Sequence, residues 1–246
     1  MSEPFIPARP DPVSKAFWGY YFERSLKRTF EHCLVAGEEH LAPIMERGSS
    51  APCPTIIVST HGSWWDAAVT IVMSLRRYRL DADGMMEYRQ LTKYRFFSRI
   101  GMFSVVREDP RSAVRSLQYA ADRLRNRDRA LWMFPQGTLI HQDLPVVAEP
   151  GIGILVRKLG RVRIQPLSIR YELLRNKKPT CWALFGSPFI AEWNSHSSVS
   201  EISTDVSNAL NDLSSVNRQN AQAEDHSGYV SMFNSVSPYL RNPVTP

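Results

Sequence analysis

The sequence predicts an α/β fold: a mixed, largely parallel sheet flanked by helices, with an N-terminal amphipathic helical element. Three observations carry this. Short apolar or β-branched runs such as TIIVST (55–60) and ALWMFP (130–135) alternate with segments of helical periodicity. The 246 residues are enough for one sizeable core without forcing a second. With 43% apolar and 22% charged residues, the composition is that of a globular chain.

Residues 1–13 read as a proline-rich arm. Residues 14–36 read as a helix with Ser14 as N-cap, in which Trp18, Phe22, Leu26 and Phe30 recur every four residues beside Phe17 and Tyr21. Arg24, Lys27 and Arg28 fall on the other side. That pattern suits either a helix lying in a membrane interface or one packed on the domain. TIIVST reads as a buried strand, 64–77 as a helix, GMMEY (84–88) as a strand and 91–100 as helical. MFSVVR (102–107) reads as a strand. Asp109 and Pro110 then open a helix whose Val114, Leu117, Ala121 and Leu124 share a face. Strands at 130–135, 163–171 and 181–189 and helices at 153–160 and about 198–216 complete the pattern. The expected division is an arm and helix (1–45), an α/β domain (46–194) and a polar C-terminal helix and tail (195–246), with the last thirty residues poorly ordered.

Charge is uneven. The net is +6, but residues 1–190 carry +10 and residues 191–246 carry −4. A basic body calls for an anionic partner. Nucleic acid is disfavoured because no helix-turn-helix, RRM or zinc pattern appears. Cys33, Cys53 and Cys181 are scattered, without metal or disulfide spacing, so no metal is expected. No run long enough to span a bilayer and no signal-peptide pattern is visible.

Three segments can carry chemistry. In STHGSWWDAA (59–68) a strand end delivers His61, and Asp66 follows in the first turn of the next helix. A carboxylate on one imidazole nitrogen fixes the tautomer and leaves the other to take a proton. The alternative is a hydrogen bond that merely ties strand to helix. In FPQGT (134–138), Pro135 and Gly137 shape a turn whose N–H groups suit an anion or oxyanion, or simply a β-turn. Arg107 ends a strand on the same rim and suits phosphate or carboxylate, or solvent. His32, His40, His141, His196 and His226 read as structural or surface residues, and Trp64–Trp65 as packing beside the site.

Taken together, HX4D at 61–66, GMFSVVR (101–107), FPQGT and the segment EPGIGILVRKLGRVRIQPLSI (149–169) with Pro166 resemble the glycerolipid acyltransferase family, the lysophosphatidate and glycerol-phosphate acyltransferases, over roughly residues 50–170. The resemblance implies an O-acyltransferase of phospholipid metabolism, peripheral at the cytoplasmic face of a membrane. It would need no cofactor beyond acyl-CoA or acyl-carrier protein as donor. It implies His61 as general base, Asp66 as its orienting partner, and Arg107, Gln136, Gly137 and Thr138 as acceptor-binding residues. The strand near Pro166 would support the site or border the acyl channel. Thr60 stands where the family usually has Asn, Gln136 where it has Glu, and Leu139 where Arg is frequent. These departures point to an acceptor less anionic than a phosphomonoester. An acyl-thioester hydrolase and a catalytically silent membrane-binding homologue are the alternative readings. No GxSxG elbow supports a serine esterase.

Overall fold

The computed structural model describes residues 5–45, 53–125, 129–194 and 197–234. His196, the start of the arm and the tail beyond residue 234 lie outside them. Among the described residues nine strands form one mixed sheet: β1 (His32–Ala36), β2 (Thr55–Ser59), β3 (Ala82–Glu87), β4 (Met102–Val105), β5 (Ala130–Met133), β6 (Arg161–Glu172), β7 (Thr180–Phe185), β8 (Phe189–Glu192) and β9 (Val230–Ser231). The order is β4-β3-β5-β2-β6-β7-β1-β9, with β8 beside the first half of β6. From β4 to β6 all neighbours run parallel; β7 and β8 pair antiparallel with β6, β1 pairs parallel with β7, and β9 pairs antiparallel with β1. The expected α/β fold with a largely parallel sheet is the fold observed.

The helices are α1 (Pro12–Thr29), α2 (Ala42–Met45), α3 (Trp65–Val72), α4 (Tyr88–Lys93), α5 (Pro110–Leu124), α6 (Gly151–Leu159) and α7 (Val199–Gln222). Single 3-10 turns cover Glu38–Leu41 and Arg95–Ile100, and a π-turn over Met73–Arg77 extends α3. One core lies between the sheet and α1 and α3, with Phe22, Leu26, Val69, Val72 and Ile57 buried. The second lies under α5, α6 and α7, with Leu117, Leu124, Leu155, Val206 and Ile56 buried. Central β2 is buried along its whole length and so reads as a continuous apolar run.

Several elements differ from the sequence expectation. The first helix spans 12–29, not 14–36. Its cap is Asp11, whose Oδ1 accepts from Ser14 N–H at 2.7 Å and whose carboxyl that bond holds below its usual range. Phe30 turns extended, and His32–Ala36 become β1, buried from Cys33 onward against β7. Apolar spacing alone does not separate a helix's last turns from a short buried strand.

Within α1, Trp18 stacks on Phe96 at 3.7 Å, and Phe22 and Leu26 are buried, contributing about 2 kcal/mol each. That side packs on the domain, while Phe17, Tyr20 and Tyr21 stay exposed. The arm is also held: Arg9 N–H donates to Ser98 O at 2.8 Å, and Ile6 N–H to Ser104 Oγ at 2.8 Å. Val114 points outward from α5, where Ala120 and Ser116 take the inner face. The run 181–189 divides into β7 and β8. Helix α7 continues to Gln222, and β9 adds an edge strand from the segment expected to be loose.

Candidate active site

The parallel strands end on one rim, where open α/β sheets place their sites. His61 follows β2 by two residues. Thr60 does not face the site: its hydroxyl accepts from Ile169 N–H at 2.9 Å and donates to Ile169 O at 3.2 Å, stitching β2 to β6. The chain then turns into α3. Ser63 Oγ accepts from Trp65 N–H at 3.2 Å, which steadies the first helical turn and brings Asp66 back over His61.

His61 Nδ1 lies 3.0 Å from Asp66 Oδ2. Because the carboxylate only accepts, Nδ1 carries the proton and Nε2 is the free base. Asp66 is fully buried, while the His61 side chain keeps 20% of its exposure. Two more donors meet the carboxylate: Ser63 N–H reaches Oδ2 at 2.9 Å, and the Tyr171 hydroxyl reaches Oδ1 at 2.7 Å. Burial, with the charges of Cys181 and Asp66, pushes the Tyr171 hydroxyl well above its ordinary range, so it stays a donor. A buried carboxylate needs such a set of donors to stay ionised.

The FPQGT turn holds His61 from its other side. Phe134 stacks on the imidazole at 4.1 Å. Gln136 is buried, and its Oε1 accepts from His61 N–H at 3.0 Å. Ile140 N–H donates to His61 O at 2.9 Å. The histidine backbone is therefore clamped on both polar groups by residues 136–140.

Gly137 adopts φ +67°, and a Cβ there would meet the Arg107 guanidinium at 3.2 Å. Arg107 itself donates from Nη1 to Gly137 O, so the guanidinium lies flat on the turn. Thr138 is exposed beside it. Near Arg107, burial and the charge of Glu108 hold the Glu87 carboxyl above its usual range, and Arg107 opposes them. The structure thus gathers His61, Asp66, Arg107, Gln136, Gly137 and Thr138 on one rim.

Sequence reading missed Tyr171, Phe134 and Gln142. Gln142 bonds the β6 backbone in both directions, from Nε2 to Tyr171 O at 2.9 Å and from Tyr171 N–H to Oε1 at 3.0 Å. A cleft of about 320 Å³ is lined by Gly62 and Ser63, which directly follow His61, and by Trp65, His141, Gln142, Tyr171, Phe30 and Pro179. Among the described residues no group of three or more His, Cys, Asp or Glu side chains is arranged to hold a metal ion.

A histidine oriented by a carboxylate, beside a polar turn and an arginine at the strand ends of an α/β sheet, is an arrangement that can take up a proton next to a polar group. A family profile described as Acyltransferase matches residues 35–170, more than half of the chain, and the chain belongs to that family. The resemblance drawn from the HX4D and FPQGT segments is borne out. Over 117 residues the chain is 27% identical to a 1-acyl-sn-glycerol-3-phosphate acyltransferase of Streptococcus pneumoniae (strain ATCC BAA-255 / R6). That match covers 46% of this chain and 40% of the relative's length.

Proposed function

We propose that this acyltransferase moves a fatty acyl group from a thioester, acyl-CoA or acyl-carrier protein, to a hydroxyl of a lipid acceptor at a membrane surface. The observation that carries the reading is the His61–Asp66 pair, with Nδ1 engaged and Nε2 available. In this mechanism Nε2 takes the proton of the acceptor hydroxyl as its oxygen attacks the thioester carbonyl carbon. The tetrahedral intermediate then collapses, the C–S bond breaks, and the thiolate takes the proton back from the imidazolium. An ester and a free thiol result. Asp66 stabilises the transient imidazolium without itself becoming protonated.

Arg107 and the Gly137–Thr138 turn hold the polar part of the acceptor. Gln136 acts on the reaction through the His61 backbone as a positioning residue. The relative's name points to lysophosphatidate as the reference acceptor. Here Gln136 and Leu139 bring no charge, and Glu87 and Glu108 lie near Arg107. This balance favours a lysolipid with a less anionic head group. The donor thioester is the only further molecule the chemistry needs. Among the described residues no helix is long and apolar enough to cross a membrane, which is consistent with a peripheral enzyme; the cytoplasmic face is part of the proposal.

The test is CoA release from a long-chain acyl-CoA by the wild type and His61→Ala, with and without a panel of lysolipids including lysophosphatidate. Acceptor-dependent release, lost in the variant by about 10²-fold or more, is expected. Acceptor-independent release would replace the reading by a thioesterase. Absence of release with both CoA and carrier-protein donors would leave a silent membrane binder. A strong preference for lysophosphatidate would overturn the acceptor assignment.

A further inference from the structure

The turn between β6 and β7 reads LLRNKK over residues 173–178, and all six residues are exposed. Leu173 is 63% exposed and Leu174 48%, an unusual position for two adjacent leucines on a polar turn. The run holds three cations and no acid. Arg175 pairs with Glu224 at 2.9 Å, while Lys177 and Lys178 make no ion pair among the described residues.

The turn's place in the fold matters as much as its composition. Strand β6 runs parallel to β2, and Leu167 is the register partner of Ser59, two residues before His61. β6 then continues to Glu172, about 16 Å further along the strand direction. The turn therefore projects past the rim that carries His61. Tyr171 and Pro179, which bracket it, line the cleft beside the histidine.

Other exposed apolar side chains share this rim. Trp64 is 61% exposed between the cleft residues Ser63 and Trp65, and Leu139 and Leu144 flank cleft-lining His141. The last turns of α1, ending at cleft-lining Phe30, present exposed Arg24, Lys27 and Arg28.

We propose that the 173–178 turn is the element that docks this chain onto an anionic lipid bilayer. Leu173 and Leu174 insert at the acyl boundary, and Lys177 and Lys178 meet the head groups. A bilayer is the occupant because the patch is an exposed turn at the rim, bordering a second cleft of about 220 Å³ with Trp182, Glu224 and His226, and its lysine stems can lie along an apolar surface while their heads stay wet. Its charge complements anionic lipid, and docking there turns the cleft toward the lipid phase. The proposal rests on the lipid-acceptor reading for its purpose, but not for its test. It assigns the anchoring to the turn, in place of α1, whose Trp18, Phe22 and Leu26 are occupied by the domain.

The test is co-sedimentation of the full chain with phosphatidylcholine vesicles, with and without phosphatidylglycerol, for Leu173→Ser/Leu174→Ser, Lys177→Ser/Lys178→Ser and Phe17→Ser/Tyr21→Ser. Exposed substitutions of this kind leave folding nearly unchanged, which thermal melts check. The wild type is expected to bind anionic vesicles. The leucine pair should weaken that binding about tenfold, and the lysine pair should remove the dependence on phosphatidylglycerol. CoA release with a short-chain lysolipid below its micelle concentration should stay within about twofold, while release with a vesicle-embedded acceptor falls with binding.

Wild-type protein that ignores vesicles, turn variants that bind like wild type, or a loss confined to the α1 variant would each overturn the proposal. If no acceptor supports CoA release in the wild type, the transferase reading fails while sedimentation still decides the docking.

Discussion

The Tyr171 hydroxyl donates a 2.7 Å hydrogen bond to Asp66 Oδ1 across 105 residues of sequence. The oxygen facing His61 is Oδ2, so Tyr171 and His61 grip the same carboxylate from opposite ends. Tyr171 is itself fixed: Phe30 stacks on its ring at 5.3 Å, and Gln142 holds its backbone. Tyr171→Phe should keep the ring contacts and remove only the donor. The carboxylate then gives more of its density to the imidazole, which makes the base harder to discharge. With the carboxylate less firmly fixed against the imidazole, kcat should fall more than KM rises. Stability should fall by about 1–2 kcal/mol, because a buried acceptor loses a partner. A merely structural tyrosine would lower stability and leave kcat in place.

Gln136 offers a sharper distinction between charge and geometry. Its Oε1 accepts from His61 N–H at 3.0 Å, and a carboxylate oxygen there would accept equally well. Gln136→Glu should therefore retain kcat/KM within about tenfold and shift acceptor preference, since it adds a negative charge beside the turn that receives the head group. Gln136→Ala should leave a part-buried N–H unpaired at a cost of about 1–3 kcal/mol and displace His61. Its kcat should fall further than that of the glutamate variant. Steady-state kinetics on both, with thermal melts, check the pair; equal losses in the two would show that the hydrogen bond to His61 N–H is not what Gln136 supplies and would overturn its positioning role.

The loop that clamps His61 is tied to the sheet by charge. Arg170 Nη1 on β6 lies 2.7 Å from Asp143 Oδ1, and Arg170 holds the Asp143 carboxyl below its usual range. A carboxyl depressed in the folded state stabilises the fold above its unfolded pKa, and that contribution is lost as pH falls through the folded value. Asp143→Asn should lower Tm at neutral pH, and the gap to wild type should close as pH falls below the ordinary carboxylate range. Asp143 keeps 44% of its side-chain exposure, so salt should narrow the gap as well. Calorimetry at several pH values decides this; a gap that persists at the acid end would assign the effect to packing.

What the sequence disclosed followed from range. His61 and Asp66 are five residues apart on one strand–turn–helix, so a local reading could pair them. The parallel strands announced themselves as apolar runs because both their faces are covered. Tyr171 could not be found this way: it ends a strand far along the sequence, and only the register of β6 against β2 brings it to Asp66. Thr60, which stands where the family usually has Asn, uses its hydroxyl to close a strand pair. The first helix was read too long because Phe30, Cys33 and Leu34 continue its spacing. What ends it is the pairing of Cys33 with Cys181 in β7, a contact 148 positions away. β9 is two residues long and carries no pattern to read.

That short edge strand depends on a buried charge. Arg77, 3% exposed, donates from Nε and Nη2 to the two Glu38 oxygens at 2.5 and 2.6 Å, and the Tyr78 hydroxyl reaches Glu38 Oε1 at 2.6 Å. Its Nη1 caps the carbonyls of Ser231, Met232 and Asn234 at 3.0, 3.1 and 3.2 Å. The guanidinium thus joins the end of α3 to the turn after β1 and to the last described segment. Arg77→Met should leave Glu38 buried without its counter-charge and cost about 3–5 kcal/mol. Adding Glu38→Leu should restore part of that loss, because it removes the uncompensated carboxylate. It should not restore the cap on residues 231–234, so hydrogen exchange there should stay fast in the double variant. Urea unfolding with exchange measurements separates the two effects; full protection of 231–234 without Arg77 would show that β1 pairing alone holds the edge.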